Sequence, residues 1–188
     1  MNGTCREKSI LFIGYAASEA ALDIMEEQRE TLISRYPGAY LRNGRELLEN
    51  DVNGRDRRLV SVKEILYGEN GTGITDETGD DGGFITECGD NGVFGALWRL
   101  GEKLGCGLRA DLMSIPIRQI AIEMCDLADV NPYESESGGC LLAVTPNPGA
   151  ALKKLSDAGI PAGVTGFVTE DNDRVVINGE SVRFLTKV

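Results

Sequence analysis

Residues 91–112 read NGVFGALWRLGEKLGCGLRADL, and this stretch decides the predicted fold. Across residues 92–104 apolar side chains recur every three or four positions, which predicts a helix with one apolar face. Gly105 follows the last of them, and glycine is typical of the position that ends a helix. Residues 107–112 then predict a strand. The stretch therefore predicts a helix that leads directly into a strand of a sheet.

Strands and helices alternate on both sides of this stretch. Ser18 is the predicted N-cap of the first helix, and Asn178-Gly179 predicts a hairpin between the last two strands. Residues 51–58 predict a polar turn, whereas residues 59–67 fit either the start of a strand or a short helix. Further strands are predicted over residues 9–15, 140–144, 163–169, 174–177 and 181–185, and further helices over residues 16–36, 38–50, 117–127 and 149–158. This order predicts one α/β (α+β) domain over residues 1–188, with helices packed on a mixed sheet.

The segment 68–92 differs in composition from the rest of the chain. It is rich in glycine and acidic residues, and it contains no Lys or Arg. It predicts a long loop, with a short strand over residues 83–87. Some of its carboxylates are candidate ligands for Mg²⁺ or Ca²⁺, but their spacing fits no EF-hand loop, and a solvated acidic loop is the favoured interpretation. These candidate metal ligands are Asp76, Glu77, Asp80 and Asp81.

The composition disfavours several classes of partner. The chain has 188 residues and a net charge of −11, without a basic stripe, so nucleic acid and anionic membranes are not expected partners. The apolar run over residues 10–13 is too short for a signal segment or a membrane span. We therefore expect a cytoplasmic protein.

Histidine is absent, and this limits the available chemistry. A Ser-His-Asp triad, a Cys-His dyad and a histidine metal site are all excluded, so acid–base catalysis would depend on Asp, Glu, Lys, Tyr or Cys. The cysteines include no C-x-x-C pair, which favours reduced, mostly buried thiols over a redox or zinc role. They are Cys5, Cys88, Cys106, Cys125 and Cys140.

Two short segments are candidates for binding a phosphate group. Asn91-Gly92 lies where a loop enters the helix over residues 92–104, and unpaired N–H groups in a helix's first turn attract anions. The alternative, which the spacing alone favours, is that glycine there permits close packing. Ser137-Gly138 belongs to a run of hydroxyls and glycines that fits either an anion nest or a tight turn before a strand. Phe94 and Trp98, one helical turn apart, predict core packing rather than a base-stacking platform.

Several of these segments, in this order, resemble the C-terminal domain of the aminoimidazole ribonucleotide synthetase (PurM-like) superfamily. They are residues 92–104, 105–112, 114–118, 131–132, 137–138 and 140–144. The resemblance is nearest to the branch of the hydrogenase-maturation carbamoyl dehydratase and related synthetases, and it covers nearly the whole chain. It implies a three-layer α/β/α domain with a mixed sheet and a partial similarity to the ferredoxin-like fold.

The resemblance also implies where the chemistry takes place. In the superfamily a preceding domain supplies the carboxylates that hold Mg²⁺ and the triphosphate of ATP, and we expect this chain to lack that domain. The C-terminal domain usually offers an Asp-x-Thr-Glu-Gly-Gly run, which here reads Glu87-Cys88-Gly89-Asp90-Asn91-Gly92. Acidic character survives at Glu87 and Asp90, which become the candidate catalytic residues, while the hydroxyl and one glycine are lost.

Three hypotheses about function follow. The first is a domain, not catalytic alone, that binds a phosphate-bearing small molecule or docks on a separately encoded N-terminal half, which would also bring Mg²⁺ and ATP. The second is a minimal ATP-dependent enzyme, in which a homodimer builds the site and Glu87 and Asp90 hold a metal or activate the substrate. The third is a structural or regulatory remnant without a ligand.

Overall fold

The computed structural model describes residues 8–67 and 84–187, and the strands within them form one sheet. The strands are β1 (Ser9–Ile13), β2 (Phe84–Gly89), β3 (Gly107–Asp111), β4 (Ser137–Thr145), β5 (Ala162–Thr169), β6 (Arg174–Asn178) and β7 (Ser181–Phe184). They lie in the order β2-β4-β1-β5-β3-β6-β7. Strands β3 and β6 are parallel, and the other neighbouring pairs are antiparallel. The predicted mixed sheet is therefore confirmed.

The helices cover the sheet on both faces. They are α1 (Ser18–Glu27), α2 (Arg29–Arg35), α3 (Gly38–Asn53), α4 (Arg55–Tyr67), α5 (Gly92–Leu104), α6 (Gln119–Ala128) and α7 (Pro148–Asp157). Helix α5 packs on one face, α4 and α7 pack on the other, and α1, α3 and α6 pack around a core of their own. The predicted α/β class is confirmed. Among the helices of the described residues, none has the length and apolar character needed to cross a bilayer.

Strand β1 lies in the interior of the sheet and shows how the two faces are built. Its side chains alternate, with Ile10 and Phe12 in the core under α5, and Leu11 and Ile13 in the core under α4 and α7. All four side chains are fully buried. A strand covered on both faces needs apolar side chains on both, which explains why its sequence is a continuous apolar run.

The first helical region departs from the single helix predicted over residues 16–36. It divides at Gln28 into α1 and α2. The prediction of Ser18 as the N-cap is wrong, because Ala17 occupies that position in the left-handed conformation, with φ 58°. The N–H group of Ala17 donates to Ser137 Oγ at 2.8 Å. The N–H group of Ala20, a donor that an N-cap side chain would bind, donates instead to the carbonyl of Glu136 at 3.2 Å.

The polar turn predicted over residues 51–58 is also wrong. Helix α3 continues to Asn53 and α4 begins at Arg55, so that residues 59–67 take the helical alternative. The polar side chains that indicated a turn serve buried contacts instead. Asp51 is 6% exposed, and its carboxylate binds Arg118 in the segment before α6.

Two further boundaries differ from the prediction. The short strand predicted over residues 83–87 of the acidic segment is present as β2 but extends to Gly89, and residues 68–83 lie outside the described residues. The predicted hairpin is present, but Asn178 is its last paired residue and lies opposite Ser181. The two-residue loop is Gly179-Glu180, with φ 60° at the glycine, a conformation that favours this residue at the first position of the turn.

The cysteines follow the prediction at three positions. Cys88, Cys125 and Cys140 are free and buried. Cys106 is instead disulfide-bonded, which corrects the prediction of reduced thiols at that position. Spacing along the chain could not show this, since a disulfide requires two Cα atoms within about 4–7 Å in the fold. Cys5 lies outside the described residues.

Candidate functional site

The candidate site lies at the end of the sheet where β2 finishes and β4 begins. The last residue of β2 pairs with the first residue of β4, and α5 begins shortly after β2. The structure therefore brings the two predicted phosphate-binding segments, Asn91-Gly92 and Ser137-Gly138, to the same end of the sheet. Glu87 and Asp90, the candidate catalytic residues, lie on β2 and on the turn that follows it.

The first turn of α5 leaves two backbone donors without a protein acceptor. The N–H group of Phe94 donates to the carbonyl of Tyr133 at 3.0 Å, and that of Gly95 donates to the N-cap carbonyl at 2.9 Å. Within the described residues, the N–H groups of Gly92 and Val93 have no such partner, although both residues are buried. Free N–H groups at the start of a long helix are the local structure that attracts anions.

Close packing requires glycine at position 92. Gly92 has φ 57°, and a Cβ there would lie 2.5 Å from the carbonyl oxygen of Ser135 and 2.7 Å from that of Tyr133. These carbonyls belong to a tight turn in which the N–H groups of Glu134 and Ser135 both donate to the carbonyl of Asn131 at 3.1 Å. The glycine thus allows the turn to cover the helix start, and this packing does not use the N–H group of Gly92.

The second predicted segment is held by bonds within the protein. Ser137 is fully buried, and its Oγ accepts from Ala17 N–H at 2.8 Å and donates to the carbonyl of Ser135 at 2.9 Å. The carboxylate of Glu19, in the first turn of α1, occupies the space that a Cβ on Gly138 would need. The hydroxyl of Ser137 therefore connects three parts of the fold at this end of the sheet.

Two carboxylates flank the start of β4. One belongs to Glu19, and the other to Glu87, whose Oε1 accepts from the N–H group of Gly139 at a long 3.4 Å. Asp90 lies nearby in an exposed turn. Within the described residues, no three acidic or cysteine side chains lie close enough together to hold a metal ion. The sequence analysis missed Glu19, because only the fold brings α1 to β4.

The candidate metal ligands Asp76, Asp80 and Asp81, together with Glu77, lie outside the described residues. Of the acidic candidates, Glu87 and Asp90 are the two whose positions the structure gives.

A second feature, which we call the polar cleft, is lined by Tyr15, Asp51, Arg58 and Arg118, and it lies beside Gly139 of β4. Arg118 donates from Nε and Nη2 to the carboxylate of Asp51 at 2.9 and 3.0 Å, and its guanidinium lies 3.5 Å from the centre of the Tyr15 ring. Arg58 donates to the backbone carbonyls of Asp51, at 3.1 Å, and of Gly139. Together with α7 and the segment that follows it, these residues line a cleft of about 510 Å³.

The charges in the polar cleft are satisfied by the protein. The hydrogen bonds to Asp51 raise the pKa of Arg118 above its ordinary value, against the opposing effect of burial. Asp51 and Arg58 were not among the predicted site residues, because their segment predicted a polar turn. The signal that could have identified them was the cluster of charged residues over 51–58, which lies between two segments with helical patterns.

The aromatic pair of α5 packs against the protein. The ring of Phe94 stacks on that of Tyr133, with 5.8 Å between ring centres. Trp98 lies under the guanidinium of Arg174 at 4.2 Å, and Arg174 also binds Glu102 at 2.6 Å. Both rings thus have protein partners, in keeping with the predicted packing role.

Cys140, a buried cysteine on the strand beside the site, is not activated as a nucleophile. Cys140 on β4 is fully buried beside Cys88 on β2. Burial, followed by the contact with Cys88, raises the pKa of the Cys140 thiol well above its ordinary value. A thiol held in its protonated form is a poor nucleophile at neutral pH.

The fold and this site define a class of protein. It is an α/β domain in which a strand that ends near Glu87 and Asp90 is followed by a helix that begins at Gly92. Residues 84–178 match the family described as AIR synthase related protein, C-terminal domain. The chain therefore belongs to this family, as its resemblance predicted. The matched range contains both candidate phosphate-binding segments. No curated protein sequence matches the chain.

Solved structures share the fold at low sequence identity. HypE from E. coli is 14% identical, with 99% of this chain and 52% of that chain covered and a TM-score of 0.69. A structure of the HypE–HypF complex is 14% identical, with 97% of this chain and 53% of that chain covered and a TM-score of 0.65. Thiamine-monophosphate kinase from Stenotrophomonas maltophilia K279a is 13% identical, with 92% of this chain and 50% of that chain covered and a TM-score of 0.57. The chain thus spans about half the length of each of these structures.

Proposed function

We propose that this chain acts as the C-terminal-type half of a PurM-like protein and binds a phosphate-bearing small molecule at the start of α5. The observation that carries the proposal is the pair of N–H groups at Gly92 and Val93, which are buried and have no acceptor among the described residues. They lie at the N-terminus of a helix of 13 residues, beside the start of β4. In this proposal Asn91 and Gly92 contact the phosphate, and Ser137 and Gly138 shape the opposite wall.

The nearby carboxylates favour a phosphate that arrives with a cation. Glu19 and Glu87 flank the start of β4 and would repel a bare anion. Mg²⁺ prefers oxygen ligands and is usually bound through one or two carboxylates together with phosphate oxygens. Glu87 and Asp90 fit this role only if further ligands come from elsewhere, since the described residues hold no three-ligand cluster.

The proposal includes a second half. Neighbours with the same fold are about twice as long as this chain. We propose that a separately encoded N-terminal half or a second copy of this chain completes the site and brings Mg²⁺ and ATP. The mass of the purified chain in solution, measured by light scattering, separates the two forms: 20.2 kDa for the monomer that needs another protein, and twice that for a homodimer.

A second candidate function is a minimal ATP-dependent enzyme. Asp90 supports it, because this carboxylate is exposed next to the proposed phosphate position. If the chain hydrolyses ATP alone, Asp90→Asn should abolish the activity, whereas Asp129→Asn, which alters an exposed carboxylate at the end of α6, should not. Absence of activity in the wild-type chain would leave the partner-dependent form as the proposed function.

Thermal unfolding tests ligand binding directly. A ligand at 100 times its dissociation constant adds about 2.7 kcal/mol, which raises the unfolding midpoint by several degrees. We expect such a rise with Mg-ATP, Mg-ADP or one member of a panel of phosphorylated metabolites. If no ligand moves the midpoint and no partner binds, the third hypothesis, a structural remnant, replaces this proposal.

A matched pair of variants locates the site. Asn91→Asp places a negative charge at the N-cap of α5, where aspartate is as good a cap as asparagine, so the fold is kept while a phosphate is repelled. Asn147→Asp makes the same change at the N-cap of α7. We expect the first variant to lose the ligand-induced rise and the second to keep it. Equal behaviour of the two would contradict binding at α5.

A further inference from the structure

The helical groove is a separate feature, formed by α1, α2 and α3 away from the sheet. It has a volume of about 470 Å³, within the range of small-molecule pockets. Its floor is apolar, since it is lined by Met25, Leu32 and Leu41. Ile33, which is 64% exposed, provides an apolar wall. The groove arises where the predicted single helix divides between α1 and α2.

Arginines surround this apolar floor. Arg29, Arg42 and Arg45 all line the groove. Arg45 is paired with the carboxylates of Glu26 at 2.9 Å and Glu49 at 3.8 Å. Within the described residues, Arg29 and Arg42 form no hydrogen bond or ion pair.

Two guanidinium groups of the groove, those of Arg29 and Arg42, have no protein partner among the described residues. The chain carries a net charge of −11, with 30 acidic residues against 19 basic ones, so carboxylates are abundant and yet none pairs with Arg29 or Arg42. Both side chains are exposed, and Nη1 of Arg42 would lie 3.3 Å from a Cβ on Gly38 at the mouth of the groove. The groove therefore combines an apolar floor with a rim of net positive charge, in which Glu26 is paired with Arg45 and the guanidiniums of Arg29 and Arg42 have no partner among the described residues.

We infer that the helical groove binds a small molecule with an apolar body and a single carboxylate. The apolar body would cover Met25, Leu32 and Leu41, and the carboxylate would lie between Arg29 and Arg42. A planar guanidinium matches a carboxylate with two parallel hydrogen bonds, which fixes the direction of the bound molecule. The inference is independent of the proposed phosphate site, which lies at the start of α5.

The chemistry of the groove separates this ligand from other classes. A cationic amphiphile is repelled by the rim, and a neutral one leaves both guanidiniums without a partner. A nucleotide or a nucleic acid is disfavoured by the apolar floor and by the charge of the chain. An alkyl phosphate shares the anionic head group, so it serves as a second probe that tests whether the rim selects carboxylate geometry.

The test is a calorimetric titration of the full chain with decanoate, below the concentration at which decanoate forms micelles. Decyl phosphate, decanol and decyltrimethylammonium are titrated in parallel. We expect saturable binding of decanoate and at least tenfold weaker binding of the neutral and cationic probes. Decyl phosphate that binds more tightly than decanoate would overturn the carboxylate assignment. Absence of decanoate binding at millimolar concentration would overturn the inference as a whole.

Variants locate the binding to the groove. The double change Arg29→Gln and Arg42→Gln should weaken decanoate binding about tenfold, because it removes both guanidiniums and leaves the floor intact. Arg183→Gln, which changes another exposed arginine on the edge strand β7, is the matched control and should leave the affinity unchanged. Ile33→Ser should weaken binding of every decyl probe alike. Equal affinity of the double variant and the wild type would contradict the inference.

Discussion

The polar cleft and the helical groove both contain arginines, but they differ in what the guanidinium groups contact. In the polar cleft, Arg118 binds a buried carboxylate and lies on the Tyr15 ring, and Arg58 binds two backbone carbonyls. In the helical groove, Arg29 and Arg42 bind no acceptor among the described residues. The same residue type therefore stabilises the fold in one region and remains available to a ligand in the other.

The contrast shows that charge alone does not identify a ligand site. The cleft is the more polar of the two, yet its charges are already paired, so an anion entering it would compete with Asp51. The groove is the less polar, yet two of its charged side chains, Arg29 and Arg42, have no partner among the described residues. We therefore expect substitutions in the cleft to change stability and substitutions in the groove to change binding.

The largest effect is expected at Asp51. Asp51→Asn removes the charge that two N–H groups of Arg118 bind, and breaking one side of a buried pair costs about 3 kcal/mol. Asp157→Asn is the control, because its pair with Lys153 is exposed, with side-chain exposures of 66% and 75%. Exposed pairs contribute at most about 1 kcal/mol. Denaturant unfolding measures both, and equal losses would contradict the stabilising role of the charges in the polar cleft.

A somewhat smaller effect is expected at Ser137. Ser137→Ala leaves the buried N–H group of Ala17 without its acceptor, which costs about 2 kcal/mol. The control is Ser34→Ala, in which an exposed hydroxyl loses a local bond to the carbonyl of Thr31, with an expected change below about 0.5 kcal/mol. If Ser137→Ala is as mild as the control, the end of the sheet is less firmly held than the contacts indicate.

The pH dependence of stability tests the contact between Tyr40 on α3 and Glu123 on α6, beside the core that α1, α3 and α6 share. Burial, followed by the hydrogen bond to Glu123, raises the pKa of Tyr40 from 10.0 to about 12. The folded state thus favours the neutral phenol, and this contribution is complete below pH 10 and is lost as the pH rises through about 12. The difference in unfolding free energy between the wild type and Tyr40→Phe should therefore shrink over that interval. A difference independent of pH would contradict the raised pKa.

The smallest effect on stability is expected in the helical groove. The double change Arg29→Gln and Arg42→Gln removes two charges that have no protein acceptor, and it leaves no buried group unpaired. The free energy of unfolding should change by less than about 0.5 kcal/mol, measured by denaturant unfolding. A loss comparable to that of Asp51→Asn would mean that these arginines stabilise the fold, and it would remove the contrast with the polar cleft.

Local patterns predicted the elements whose signals agree with one another. Helix α5 has the bounds expected from its apolar period, and Gly105 adopts φ 61° at its end. The prediction failed where polar residues serve distant partners. Asp51 binds Arg118, and Arg58 binds the carbonyl of Gly139. Because these partners are remote in sequence, the local pattern showed only two charged residues and indicated a turn. Ser18 is the first helical residue rather than the N-cap, and the N–H group of Ala20 donates to the carbonyl of Glu136, which is remote in sequence.

The candidate site was predictable in its parts but not in its assembly. Asn91, Gly92, Ser137 and Gly138 were each identified from local composition, and the pairing of β2 with β4 brings them to one end of the sheet. Glu19 could not be identified, because nothing in the first turn of α1 indicates that this helix starts beside β4. The helical groove was also hidden, since a single helix over residues 16–36 would have placed Ile33 on its apolar face.

The most direct test of the proposed function is an amide NMR titration with Mg-ATP and with inorganic phosphate. The free N–H groups of Gly92 and Val93 should shift in a saturable way, because they would donate to the phosphate oxygens. The N–H group of Gly149, at the start of α7, provides a matched helix terminus within the same spectrum. Shifts confined to Gly92, Val93 and their neighbours are the predicted result. Equal shifts at both helix starts, or none at α5, would contradict a phosphate site in this domain.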